Sequence, residues 1–256
     1  WYNMGAKRIV GARELSLKEI KEMRSKIPDD MEIETFVHGA MCISYSGRCL
    51  LSNYLSGRDA NKGACSHPCR WKYYLMEETR PGEYMPVEEN ERGTYIFNSK
   101  DLCMLNHIPE LIDAGISSLK IEGRMKTPYY VGTVVKAYRQ AIDDYFKDPE
   151  YYKSRIDYYM SEITKASHRD FTTGFYFGKP GHDDQVYTNN SYIRDYDFIG
   201  IVTEDRDDES GCAVIMQRNK FEVGDKIEIL PVSGDSMEMT VTQMWNEEGI
   251  SVQSAP

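Results

Sequence analysis

Short β-branched runs alternate with stretches of helical period through the first two-thirds of this 256-residue chain. Lys7–Ala12 (KRIVGA) reads as a strand, and Leu17–Ser25 follows as a helix opened by a capping box of Ser16 and Glu19. Pro28 ends that helix, and Met31–Val37 (MEIETFV) alternates apolar and polar positions as a second strand. Thr94–Phe97 (TYIF) predicts a third strand, Pro109–Ala114 a helix stopped by Gly115, and Ser117–Ile121 (SSLKI) a fourth strand. Pro128 stands at the first position of a long amphipathic helix reaching about Phe146, and a further helix spans roughly Glu150–Lys165. From Phe198 the helical period disappears. Phe198–Glu204, Cys212–Arg218, Lys226–Leu230, Met237–Met244 and Ile250–Val252 read as short strands between Gly/Asp turns, which predicts a small antiparallel β-barrel-like domain.

Strand–helix alternation predicts an α/β fold of parallel βα units. Four such units cannot close an eight-stranded barrel. The opening WYNMGAKRIV reads as the last turn of a helix, a Gly5 stop and a strand, so the expectation is that upstream residues complete the fold. A self-contained four-unit open sheet is the alternative. The expected division is 1–170 for the cysteine-bearing βα part, 171–197 for a linker rich in Gly, aromatic residues, Asp and Asn, and 198–256 for the β-domain. Cys212, inside one predicted strand, is expected to be core filler.

A hydrophobic content of 41% suffices for a core, and no apolar run approaches the roughly 20 residues that span a bilayer. The net charge of −10 disfavours a general nucleic-acid binder. Charge is uneven, however: between Thr35 and Lys72, Arg48, Arg58, Lys62, Arg70 and Lys72 face Asp59 alone, a net +4 that leaves −14 on the remainder. With no signal peptide in view, the expected compartment is reducing and cytoplasmic.

That basic island coincides with the cysteines. Cys42, Cys49, Cys65, Cys69 and Cys103 carry the spacing C-x6-C-x15-C-x3-C-x33-C. Converging thiolates bind zinc or an iron–sulfur cluster. Inert buried thiols are the competing reading. The spacing is not the paired knuckle of a zinc ribbon. Gly39, Gly47 and Gly63 flank the candidates and permit turns that aim thiolates inward.

In parallel βα folds, functional groups gather at the carboxyl ends of strands. That rule selects Arg13, Glu14, the stretch His38–Cys49, Asn98, Lys100, and the run Lys120–Lys126 (KIEGRMK), whose cations suit a carboxylate or phosphate. No H-E-x-x-H or G-x-S-x-G motif is present. His38, His67, His107, His168 and His182 are scattered, and a Cys42–His38 peptidase dyad is the one hydrolytic pairing to weigh.

The pattern Glu34, Phe36, Gly39, Ala40, Met41, Cys42, Gly47, Cys49 and Ser52 resembles the signature of peptidase family U32, the collagenase-like peptidases. NKGACSHPCRW, SKDLCMLNHIPELIDAGISSLKIEGRMK, HRDFTTGFYFG and QRNKFEVGDKIEIL resemble the same family. The nearest branch is the one whose members help convert a tRNA wobble uridine to 5-hydroxyuridine. The resemblance implies the second half of a TIM-like (β/α) barrel followed by the small β-domain. It also implies oxygen-independent hydroxylation with prephenate as co-substrate, and tRNA and a paralogous family member as partners. On matching positions it implies a [4Fe–4S] cluster on Cys42, Cys49, Cys65 and Cys103, with Cys69 as substitute for Cys65 or Cys103. Arg124, Lys120 and Arg70 are the expected carboxylate-binding side chains. The alternatives are a collagenase-like peptidase and a non-catalytic scaffold holding zinc.

Overall fold

The computed structural model describes residues 1–42, 45–71, 74–75, 81–82, 85–86, 98–124, 126–180, 185–186, 193, 196–204 and 210–256. The chain divides into two compact units, Trp1–Ile193 and Arg194–Pro256.

In the first unit, β1 (Arg8–Val10), α1 (Leu17–Lys26) and β2 (Glu32–Ala40) follow the expected order, and the capping box of Ser16 and Glu19 is formed. After α2 (Leu51–Ser56) come β3 (Asp101–Cys103), α3 (Ile108–Asp113), β4 (Ser118–Ile121), α4 (Pro128–Lys147), α5 (Pro149–Ser154), α6 (Ile156–Thr164) and β5 (Phe171–Thr172). β2 is the spine. It pairs in parallel with β1 and β4 and antiparallel, at its far end, with β3, which in turn pairs in parallel with β5.

One expectation for this unit changes, and another falls on residues that the structure does not describe. The single helix expected over 150–165 is broken into α5 and α6 at Arg155, whose φ of −106° and ψ of 5° leave the helical region. The predicted strand Thr94–Phe97 lies outside the described residues. β3 was not legible as a strand, because three residues carry no usable alternation and its pairing partner lies some sixty residues away.

Glu34 binds the sheet together. Its carboxylate accepts from Lys120 of β4 at 2.8 Å and from Arg8 of β1 at 3.0 Å. The Lys120 hydrogen bond, more than the other contacts, holds the Glu34 carboxyl below its ordinary value.

Buried tyrosines fasten the helices to the strands. Tyr138 of α4 donates to the Val37 carbonyl at 2.8 Å and accepts the Met104 N–H at 3.0 Å. Tyr152 of α5 donates to Leu105 O at 2.9 Å, and Tyr176 to Phe36 O at 2.6 Å. Around these sit Ile33, Val37, Leu102, Met104, Ile108, Val134 and Ile163, all nearly or fully buried. Tyr138→Phe is expected to lower unfolding stability by about 1–2 kcal/mol in a denaturant titration, because the ring still fills its space while a buried hydrogen bond is lost. An unchanged midpoint would show that the hydroxyl fastens nothing.

The second unit contains β6 (Gly200–Glu204), β7 (Val214–Gln217), β8 (Phe221–Glu222), β9 (Lys226–Ile229), β10 (Met237–Thr240), β11 (Met244–Trp245), β12 (Ser251–Val252) and β13 (Ser254–Ala255). They form antiparallel pairs β6–β7, β8–β13, β9–β10 and β11–β12, and no closed barrel is formed among the described residues. Cys212 is not core filler. It stands in the turn before β7, half-exposed, with its thiol 3.5 Å from the Ser210 carbonyl. No helix among the described residues is long and apolar enough to cross a membrane.

Candidate functional site

Three parallel strands end at one cavity. Arg13 follows β1, the cysteine loop follows β2, and Glu122 and Arg124 follow β4. The cavity measures about 300 Å³ and its wall includes Cys42, Cys49, Cys65 and Cys69. This is the carboxyl-end position where open α/β sheets bind ligands.

Glycine makes the convergence possible. Gly39, at the end of β2, has a φ of +104°, and a Cβ there would lie 2.4 Å from the Glu122 carbonyl oxygen. The absent side chain lets the β4 loop close against β2. Past the strand, the chain turns at Tyr45–Arg48, where the Arg48 N–H donates to Tyr45 O at 3.0 Å and the Ser46 N–H donates to Glu14 Oε1 at 2.7 Å. α2 then packs on the turn Pro68–Arg70, with the Ser66 N–H donating to Ser52 Oγ at 3.0 Å. Between them, the His67 N–H donates to Cys65 Sγ at 3.3 Å. His67 has a φ of 55°, the only positive value on a non-glycine residue among those described. Such strain clusters at ligand sites.

Cys103, expected as a ligand, is not on this wall. β3 places it opposite His38 of β2, buried in the core. Burial pushes the thiol up to about 11, so at neutral pH it carries its proton. The four thiols brought to one cavity are therefore those of the cysteine loop, Cys69 included.

The cationic candidates separate as well. Arg124 lines the cavity, exposed, with its N–H donating to Glu122 Oε1 at 3.0 Å. Its guanidinium lies 3.8 Å from where a Cβ on Gly63 would stand. Lys120 is instead engaged by Glu34 outside the cavity wall. Arg70 ends the Pro68–Arg70 turn, and its side chain lies outside the described set. Arg13, flagged only by its position after a strand, enters the wall: its guanidinium sits 3.7 Å from the Phe36 ring centroid and 3.6 Å from Glu122 Oε2.

His38 does not serve as a base for Cys42. It is buried among Tyr130, Tyr138 and Phe171, with ring centroids 6.1, 5.6 and 5.7 Å away. Burial first, then the nearby Lys126 charge and His168, push its pKa down to about 3. A general base working near neutrality needs a value near the operating pH. Among the described residues no three His, Cys, Asp or Glu side chains stand close enough to hold a metal ion as a group.

Fold and site together define a two-unit α/β protein with a thiol-lined cavity at the carboxyl ends of its parallel strands. The chain belongs to peptidase family U32: the family's model matches residues 1–186, and the peptidase family U32 C-terminal domain matches 194–256. It is 40% identical over 255 residues to tRNA hydroxylation protein P1 of Bacillus subtilis, covering 100% of this chain and 59% of that protein. It is 38% identical to tRNA hydroxylation protein P of Escherichia coli, covering 100% of this chain and 64% of the relative. A protein of Porphyromonas gingivalis named collagenase is 32% identical over 188 residues, covering 70% of this chain and 44% of that protein. The chain thus spans about six-tenths of the length of these first two relatives. No solved structure matches it.

Proposed function

We propose that this protein belongs to a tRNA-hydroxylating enzyme, with an iron–sulfur cluster held by Cys42, Cys49, Cys65 and Cys69 and prephenate as co-substrate. The observation that carries the reading is the gathering of four thiols on one cavity wall. Soft sulfur donors suit iron–sulfur clusters and zinc. One feature favours the cluster. The space of about 300 Å³ equals the liquid volume of about ten waters, far more than a single ion takes. The His67 N–H on Cys65 is the kind of hydrogen bond that tunes cluster sulfurs.

Bound there, such a cluster would supply one-electron chemistry. The chain's own part is to bind and orient. Arg124, with no carboxylate among the described residues pairing its guanidinium, offers a fork for a carboxylate of the co-substrate. Arg13 stacks on Phe36 and pairs with Glu122 on the same wall, fixing the carboxylate next to Arg124. The relatives' names support tRNA as the substrate, and the parallel strands β1, β2 and β4 fit one arc of a TIM-like barrel. His38, the base weighed for a Cys42 peptidase, is buried and neutral, which disfavours that pairing.

The test is genetic and chemical. Expressed in a bacterium deleted for its own tRNA hydroxylation proteins, the gene should restore 5-hydroxyuridine-derived nucleosides, read by mass spectrometry of digested tRNA. Absence of those nucleosides with the protein folded and abundant would overturn the reading.

A further inference from the structure

Large side chains that a core would ordinarily take in stand exposed at the cysteine cavity and along the segment that carries the cysteines. Tyr45 lines the cavity while remaining 72% exposed, Tyr54 on α2 is 83% exposed, and Trp71, following the Pro68–Arg70 turn, is 47% exposed. These rings are presented on ordered backbone. The Tyr45 turn is closed by the Arg48 N–H and tied to Glu14, and α2 is fastened to the following segment through Ser52 and Ser66. Packing of α2 on the Pro68–Arg70 turn brings the carriers of Tyr54 and Trp71 together. Arg48 and Arg58 are exposed in the same segment, and its one carboxylate, Asp59, is taken up by Lys62 at 3.1 Å.

We propose that Tyr45, Tyr54 and Trp71 form a stacking platform for unpaired RNA bases, with Arg48 and Arg58 holding the adjoining phosphates and Tyr45 receiving the base nearest the thiols. The inference rests on the reading of tRNA as substrate and adds which surface reads it and that the strand must be unpaired there. Chemistry on a base atom requires the base to leave its stack, and aromatic faces are what single-stranded RNA stacks on. Charge directs the strand: in a protein of net charge −10, this segment of net +4 is where a phosphate backbone meets favourable charge beside the thiols. A protein partner docking on these rings would gain nothing from the arginines unless it were acidic, whereas an RNA loop uses both features at once.

Fluorescence anisotropy with the protein and a labelled anticodon-type stem-loop, beside a fully paired duplex of equal length, tests it. Wild type should bind the stem-loop well ahead of the duplex. Tyr45→Leu, which keeps apolar bulk and sits on an exposed turn, should weaken stem-loop binding about tenfold, and Tyr45→Phe should leave it within about twofold. Arg48→Gln should lower the slope of log affinity against log salt by about one. Stem-loop binding by Tyr45→Leu and by Tyr54→Leu equal to wild type would overturn the platform while leaving the tRNA reading intact. A wild-type protein that binds neither RNA would overturn both.

Discussion

Replacing Cys65 with serine is expected to strip the protein of iron, while replacing Cys103 leaves the iron in place. Cys65 lies on the cavity wall, and its sulfur already receives the His67 N–H at 3.3 Å from a left-handed backbone position. A serine oxygen is a harder and poorer donor to iron than a thiolate. Iron should fall from about four per chain to less than one, and Cys42→Ser, Cys49→Ser and Cys69→Ser should do the same. Cys103 is 8% exposed and does not line the cavity, with its thiol held protonated near neutral pH by burial. Cys103→Ser buries a hydroxyl in an apolar site and should cost about 1–2 kcal/mol of stability without touching iron content. The measurements are iron and acid-labile sulfide on each anaerobically purified variant, with thermal denaturation alongside. If Cys103→Ser loses its iron and Cys69→Ser keeps it, the ligand set is instead Cys42, Cys49, Cys65 and Cys103.

Gly39→Ala should be the most damaging glycine-to-alanine substitution among the described residues. An alanine at φ +104° is strained by about 1–3 kcal/mol, and its Cβ would stand 2.4 Å from the Glu122 carbonyl oxygen and 3.0 Å from the Glu122 Cβ. Neither the backbone of β2 nor that of the β4 loop can yield without parting, so overpacking adds about 1–3 kcal/mol. The expected total is about 2–6 kcal/mol, together with displacement of Glu122 and Arg124 from the cavity. Gly47 is the matched control: its φ is +76°, but nothing lies within 4 Å of the Cβ position. Gly47→Ala should therefore cost only the backbone strain, about 1–2 kcal/mol. Denaturant midpoints for the two variants decide the point. Equal losses would mean that the contact with Glu122 does not hold the site together.

These two substitutions mark where the sequence was readable and where it was not. The strands around Arg8, Glu32 and Ser118 announce themselves through β-branched residues, and the Ser16–Glu19 box and Pro128 mark helix starts by local chemistry. Local signals like these survive in a linear reading. The fate of Cys103 depends on register: β3 runs antiparallel to β2, so Cys103 meets His38 across the sheet, a pairing between positions 65 residues apart. Nothing near Cys103 distinguishes it from Cys69. Lys120 fails as a cavity residue for the same reason, since the carboxylate that claims it, Glu34, lies 86 positions earlier. Arg13 was within reach through the strand-end rule, which named its position but not its stacking on Phe36. The second unit's strands are visible as short alternating runs, and three of their antiparallel pairs join neighbours in sequence. The β8–β13 pair spans more than thirty residues, and no closed barrel forms among the described residues, where the alternation predicts a barrel-like domain.

The central claim is that four loop thiols hold an iron–sulfur cluster, and metal analysis of the wild-type protein tests it most directly. Purified without oxygen and assayed for iron, zinc and acid-labile sulfide, the protein should carry about four irons and about four sulfides per chain. One zinc per chain with no sulfide, or no metal at all after anaerobic reconstitution with iron and sulfide, would contradict it.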